Sequence, residues 1–371
     1  MHFSRSVTLI SDNSPNSRGN LIAMKASYCR YMLHFKQPAT TSRAVMRDKE
    51  TFFIKLWNEE NPGVFGIGEC ALFRGLSADD TPDYESRLAD LCSLINSGRK
   101  YDLTGFGSMR FGLETALLDL AGGGRRIVFP SAWSEGRSEI EINGLVWMGD
   151  RDEMLARIDE KLQAGFKCVK LKIGGIDFDQ ELGLLDHIRR RFPAGELELR
   201  LDANGAFTPG NAMERLERLA VYDIHSIEQP IKPRQWEEMA RVCHESPIAI
   251  ALDEELIGIE NPEEMRRMLH TITPKYIILK PALCGGFAGA AAWIEQAAAE
   301  GIGWWATSAL ESNIGLNAIA QWVSTLDVTM PQGLGTGSLY TNNIASPLVQ
   351  ERDVLRYDTV GEWVLPQFDW K

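Results

Sequence analysis

The chain has 371 residues, enough for one large domain or two ordinary ones, and 44% of them are hydrophobic, enough to bury a substantial core. Its formal net charge of −12 argues against nucleic acid and anionic membrane as partners, because both reward clusters of Lys and Arg that this sequence lacks. Six cysteines (Cys29, Cys70, Cys92, Cys168, Cys243 and Cys284) show no C-x-x-C spacing and mostly sit in apolar segments, which predicts reduced core thiols in a cytoplasmic protein.

Residues 1–23 lack the long apolar run of a signal peptide or membrane helix and are expected to be a disordered extension, with Met24 standing directly before the first strand-like segment. Strand composition follows at 28–35, 51–57 and 64–69, with a polar hairpin loop expected over 38–48 and a turn at Asn61-Pro62-Gly63. Residues 84–97 and 109–120 carry helical periodicity. Strands followed by helices make a small α+β unit over 24–122, ended by Gly122-Gly123-Gly124, and 125–137 read as the crossing to a second domain.

From there strand and helix patterns alternate. Strands are expected at 141–146, 168–173, 197–203, 224–229, 248–253, 276–280, 303–307 and 332–334, with amphipathic helices between them, as at 153–164, 179–191 and 212–221. Eight such units predict an α/β fold: a (β/α)8 TIM-type barrel over 123–345, with an α+β capping domain over 24–122 that the C-terminal segment 346–371 rejoins. No Gly-x-Gly-x-x-Gly follows an early strand, so a dinucleotide fold is not indicated.

In a barrel of this kind catalytic groups collect at the C-terminal ends of the strands. Here those ends carry Lys170 and Lys172, then Asp202-Ala203-Asn204, Glu228-Gln229-Pro230, Asp253-Glu254-Glu255 and Lys280-Pro281. Counting by twos, Leu197, Leu199 and Leu201 face the outer helices, whereas Glu198, Arg200 and Asp202 face the axis, so Asp202, Glu228 and Asp253 converge at the barrel mouth. Three acids that close repel one another unless a cation lies among them, and an all-oxygen set suits Mg2+, with Mn2+ as a substitute. A helix N-cap role explains any one of these acids but not three on successive strands. A bound cation would also lower the pKa of neighbouring lysines toward the range of a general base.

Gly165-Phe166 with Lys170-x-Lys172, Asp202-Ala203-Asn204, Glu228-Gln229-Pro230, Asp253-Glu254 and Ile277-Ile278-Leu279-Lys280-Pro281, in that order, resemble the enolase superfamily in its muconate-lactonizing subgroup. The likeness covers nearly everything from Met24 onward. It implies abstraction of a proton α to a carboxylate, with Mg2+ stabilising the enediolate. Carried over by position, Asp202, Glu228 and Asp253 match the metal ligands, Lys172 the general base, Lys170 its partner and Lys280 the lysine on the opposite face; Asn204 and Glu254 stand behind the ligands.

Residues 111–120, 142–149 and 333–337 resemble a branch of the subgroup that eliminates water from a succinyl-bearing cyclohexadiene carboxylate, so a small dicarboxylate is the expected substrate. Dipeptide epimerases of the subgroup carry Asp-x-Asp at the eighth strand, where this chain has Gly333-Leu334-Gly335-Thr336-Gly337. An epimerase or N-acylamino acid racemase on the same scaffold is the alternative. For the distal carboxylate the expected contacts are Ser308, the Gly333 to Gly335 backbone, and Ser108 or Arg110, the last equally read as an interdomain ion pair. Residues 40–48 and 72–76 are the expected lid, and nothing in the pattern specifies an oligomer.

Overall fold

The computed structural model describes residues 24–41 and 44–371, so the extension expected at 1–23 lies outside the described residues. Strands β1 (Met24–Thr40), β2 (Val45–Asn58) and β3 (Asn61–Cys70) form an antiparallel sheet in that order. The loop expected over 38–48 is largely paired: Ala39 faces Met46 and Thr40 faces Val45, beyond a register shift after His34. Its polar residues sit on an exposed extension of the hairpin, where a strand needs no apolar face.

Helices α1 (Tyr84–Asn96) and α2 (Gly107–Ala121) cover one side of this sheet, burying Phe52, Leu56, Leu88, Leu91, Met109 and Leu113. The approach of α2 to β3 is close enough to require glycine, since a Cβ at Gly68 would stand 1.8 Å from the Gly112 carbonyl oxygen. The other side of the sheet is covered by the chain's end. Trp363, Leu365, Phe368 and Trp370 pack on Cys29 and Phe53, and Lys371 donates to and accepts from the Tyr28 backbone at 2.8 and 3.2 Å.

The second unit begins at β4 (Ile140–Glu141), which pairs with the C-terminal hairpin β12 (Leu348–Glu351) and β13 (Val354–Tyr357). The expected strand over 141–146 is therefore divided, and only β5 (Gly144–Val146) enters the barrel. After α3 (Arg151–Gln163) the alternation runs β6 (Cys168–Lys172), α4 (Phe178–Arg191), β7 (Glu198–Asp202), α5 (Ala212–Ala220) and β8 (Ser226–Glu228). It continues through α6 (Trp236–Glu245), β9 (Ile250–Leu252), α7 (Pro262–Ile272), β10 (Tyr276–Leu279), α8 (Gly286–Ala299), β11 (Gly303–Ala306) and α9 (Asn313–Val323).

Strands β5 to β11 make a parallel sheet in sequence order. The eighth position is two residues wide. Gly333 donates to Ala306 O at 2.8 Å and accepts from Ser308 N at 3.0 Å, while Gln332 donates to Glu141 O at 2.8 Å and accepts from Asn143 N at 3.0 Å. These bonds join the sheet's two edges, and so short a segment replaces the regular strand expected at 332–334. Inside the ring, Arg200 lies 4.3 Å from the Trp305 ring centroid and donates to Pro331 O at 2.8 Å, while Leu199 and Leu201 join the outer helical core, as alternation requires. The fold is an α/β barrel with a separate antiparallel cap.

The cap docks on the barrel through a buried acid. Glu114 of α2 accepts from Phe287 N at 2.6 Å in the first turn of α8, and burial pushes its carboxyl up to about 7 against those amides and Arg110. Because the folded value exceeds the ordinary 4.5, the stability Glu114 contributes is complete below about 4.5 and declines as pH rises toward 7. Glu114→Gln, which keeps an acceptor oxygen, is expected to flatten that decline in denaturant midpoints measured between pH 5 and 8; an unchanged slope would contradict the burial of an ionising group here.

Candidate active site

Parallel pairing sets Lys172 beside Asp202 and Asp202 beside Glu228, so one lysine and two adjacent acids share one level at the ends of β6, β7 and β8. All point inward because strand side chains alternate. Asp253 leaves the end of β9, and Lys280 follows β10.

The acids and lysines interlock. Lys170 Nζ donates to Glu228 Oε2 at 2.8 Å and to Asp202 Oδ2 at 3.1 Å. Lys172 Nζ donates to Asp202 Oδ2 at 2.6 Å and to Asn204 Oδ1 at 2.7 Å. At the far end of the row Lys280 Nζ donates to Asp253 Oδ2 and stands 3.9 Å from Glu228 Oε1. Asn204 passes the linkage on, its Nδ2 donating to Glu254 Oε1 at 2.9 Å. Its φ of +46° is one that a short side-chain amide tolerates.

One important residue escaped the sequence reading. Gln229, at φ +41°, accepts from Asp253 N at 3.1 Å and Glu255 N at 3.3 Å, tying the end of β8 to the end of β9. Its position between Glu228 and Pro230 was the available signal.

Burial opposes the charge of each group, and the neighbours decide the outcome. For Asp202 burial is overcome by Lys172 and Lys170, which hold its carboxyl well below the ordinary carboxylate range. Glu228 goes the other way: burial, with the charge of Asp202 added, pushes it up to about 8 despite Lys170 and Lys280. Burial likewise works against Lys170 and Lys280, but Glu228 and Asp202 raise the first, and Asp253 and Glu228 raise the second. Facing the acids directly, Lys170 and Lys280 are thus held above the ordinary lysine value.

This arrangement fits a divalent cation. Glu228 Oε1 is buried with no hydrogen-bond partner, and the acid is short of positive charge although two lysines lie near it. Three oxygen-donor side chains with no His or Cys among them suit a hard ion. Among the described residues no group of three or more His, Cys, Asp or Glu is drawn together as a finished coordination shell; each of the three acids is turned onto a lysine.

The cleft above holds Lys170, Lys172, Lys280 and Asn204 beneath Thr41, Met46, Phe73 and Leu76 of the cap, so both segments expected as a lid contribute to its walls. Ser308, Gly333 and Gly335 also line it. Two of these have their hydrogens engaged elsewhere: the Ser308 hydroxyl donates to Glu311 Oε2 at 2.6 Å, and the Gly333 N–H closes the barrel. Ser108 and Arg110 stand outside the cleft. Ser108 is fully buried in the cap, donating from N and Oγ to Asp79 Oδ2 at 3.0 and 2.6 Å, because its place at the start of α2 needs a capping acid. Arg110 donates to Leu103 O at 3.1 Å and meets Glu260 Oε2 at 3.5 Å, the interdomain ion pair that was its alternative reading.

A capped barrel with acids on three successive strands and lysines at either end of their row is the architecture of the enolase superfamily, and residues 153–356 match the family described as Enolase C-terminal domain-like. The o-succinylbenzoate synthase of Desulfotalea psychrophila is 47% identical over 366 residues, covering 90% of this chain and 98% of that protein. The crystal structure of MenC from the same organism aligns with a TM-score of 0.80 at 44% identity, over 90% of this chain and 99% of that one. A more distant fold neighbour is the dipeptide epimerase of Cytophaga hutchinsonii complexed with Mg and D-Ala-L-Val, at TM-score 0.76 and 18% identity over 93% and 97% of the two chains. The chain belongs to the o-succinylbenzoate synthases of the enolase superfamily.

Proposed function

We propose that this protein converts 2-succinyl-6-hydroxy-2,4-cyclohexadiene-1-carboxylate to 2-succinylbenzoate by elimination of water, the dehydration step of menaquinone biosynthesis. The observation that carries the reading is the pair Lys172 and Lys280 at opposite ends of the Asp202, Glu228, Asp253 row, in a chain 47% identical to a protein of that activity. Asp202, Glu228 and Asp253 would hold Mg2+, or Mn2+ in its place, which when bound supplies positive charge that stabilises the enediolate.

The remaining chemistry belongs to side chains. Lys172, as the neutral amine, takes the proton α to the ring carboxylate at Nζ, and Asn204 holds that nitrogen in position through its 2.7 Å contact. Lys170 bridges Asp202 and Glu228 and fixes their spacing. Lys280 offers a fixed ammonium to the charge that develops on the other face. Protonated Lys172 then assists departure of hydroxide, and aromatisation of the ring drives the step. Thr41, Met46, Phe73 and Leu76 close over the cleft and restrict water. The direct test is to incubate the enzyme with the hydroxycyclohexadiene and record the aromatic product in the ultraviolet; no product above the uncatalysed rate would reject the assignment.

The cleft also speaks against a free amino group. Gly333-Leu334-Gly335-Thr336-Gly337 carries no acid at the eighth position, and among the described residues no Asp or Glu lines the cleft. A substrate ammonium would be desolvated there without a carboxylate partner, at a loss of about 1–3 kcal/mol. L-Ala-L-Glu in D2O is therefore expected to show neither inversion nor α-deuteration by NMR, and rapid exchange would move the reading to the epimerases.

A further inference from the structure

Leu310 has φ +64° although it is a leucine, and it is buried with its side chain on the cleft wall. The left-handed region crowds any Cβ, so a bulky residue persists there only where its surroundings over-determine it. Both sides of this residue are clamped. Its N–H donates to Ser308 Oγ at 2.9 Å, and its carbonyl accepts from the Tyr340 hydroxyl at 2.7 Å. Ser308 in turn gives its own proton to Glu311 Oε2 at 2.6 Å.

Behind the clamp lies a buried charge cluster that the dehydration mechanism does not use. Lys49 of β2 is 6% exposed, its Nζ has no hydrogen-bond partner, and its charge partners are Glu69 and Glu311. Glu69 is fully engaged: it accepts from Thr51 Oγ1 at 2.9 Å, Ser312 N at 3.0 Å, Ser312 Oγ at 2.5 Å and Gly315 N at 3.1 Å. Glu311 keeps one oxygen, Oε1, without a partner. The cap thus delivers a lysine as countercharge to a barrel acid whose other oxygen orients Ser308.

We propose that Leu310 determines specificity in this cleft and that Lys49 and Glu311 are positioning residues, which hold its strained backbone so that cap docking presents an apolar wall to the ring and methylene chain of the substrate. The chain of cause is local. Without Lys49 two buried carboxylates share a site, and Glu311 takes up a proton. As a neutral acid it is a weaker acceptor for Ser308, the serine side chain is no longer held in one rotamer, Leu310 N–H loses its fixed acceptor, and the leucine relaxes out of the left-handed region. The inference rests on the dehydration reading above.

The test uses the full chain and the hydroxycyclohexadiene. Leu310→Asn keeps a residue that tolerates positive φ but removes the apolar face; Ser308→Ala removes the acceptor for Leu310 N–H; Lys49→Met removes the charge and keeps the stem. Each is expected to raise KM about 10-fold with kcat within about 3-fold of wild type. The double variants Lys49→Met/Leu310→Asn and Ser308→Ala/Leu310→Asn should be no worse than Leu310→Asn alone, because the clamp acts through the leucine. A merely structural cluster would lower the melting temperature and leave the KM of the folded variants unchanged, which would overturn the proposal, as would full additivity in either double variant. If Lys49→Met does not fold, the Ser308→Ala arm decides on the same terms. Absence of dehydration in the wild type would instead reject the function on which the inference stands.

Discussion

Lys172→Ala is expected to lose at least about 1,000-fold in kcat for dehydration, the scale of a general base that has no substitute. No neighbour takes over the role. Lys170 is occupied between Glu228 and Asp202 on the same strand, and Lys280 stands at the other end of the acid row. The fold should tolerate the change, because Asp202 keeps its 3.1 Å contact to Lys170 and the substituted side chain belongs to the barrel mouth and not to its packed layers. Asp202→Asn is expected to be equally inactive, since it removes one of the three charges that suit the row to a divalent ion. The measurement is product absorbance against time, with far-UV circular dichroism and thermal melting on the same samples. Normal turnover by either folded variant would remove Lys172 or Asp202 from the assignment.

Much of this geometry was legible in the sequence because it depends on alternation. Once Leu197, Leu199 and Leu201 are assigned to the helices, Asp202 must face the axis, and parallel pairing at a fixed register then sets Lys172, Asp202 and Glu228 level with one another. What was not legible depends on pairing between distant segments. The division of 140–146 follows from Val354 and Leu355, more than two hundred residues later, which pair with Glu141 and Ile140. The hairpin over 38–48 was misread because its residues are polar, and polarity distinguishes an exposed strand from a loop poorly.

Side-chain partners were the least legible. Nothing local in the sequence shows that the Ser308 hydroxyl goes to Glu311, that Asp79 caps the helix beginning at Ser108, or that Arg110 faces Glu260. The polar stretch Arg47-Asp48-Lys49-Glu50 gave no hint of a buried Lys49 either. Burial of a lysine is decided by what packs over it, and here that is a loop of the other domain.

The roles proposed for Lys172 and Lys280 differ, and one pair of conservative variants separates them. Elimination with aromatisation needs one proton abstraction, and if Lys172 both takes that proton and assists the hydroxide, the other face has no proton to move. Lys280 then acts by charge alone, consistent with its position against Asp253 and Glu228, which together raise its pKa against the effect of burial. Arginine keeps the charge but does not deprotonate in a protein, so Lys280→Arg is expected to retain a measurable fraction of kcat where Lys280→Ala does not, whereas Lys172→Arg should fall to the level of Lys172→Ala. A racemase requires a titrating group on each face and would lose activity in both arginine variants. Because guanidinium is larger than ammonium, solvent isotope exchange supplies the second readout. In D2O the Lys280→Arg variant should still wash deuterium into recovered substrate or form product, and Lys172→Arg should do neither. Retention of more activity by Lys172→Arg than by Lys280→Arg would reverse the assignment of base and fixed charge.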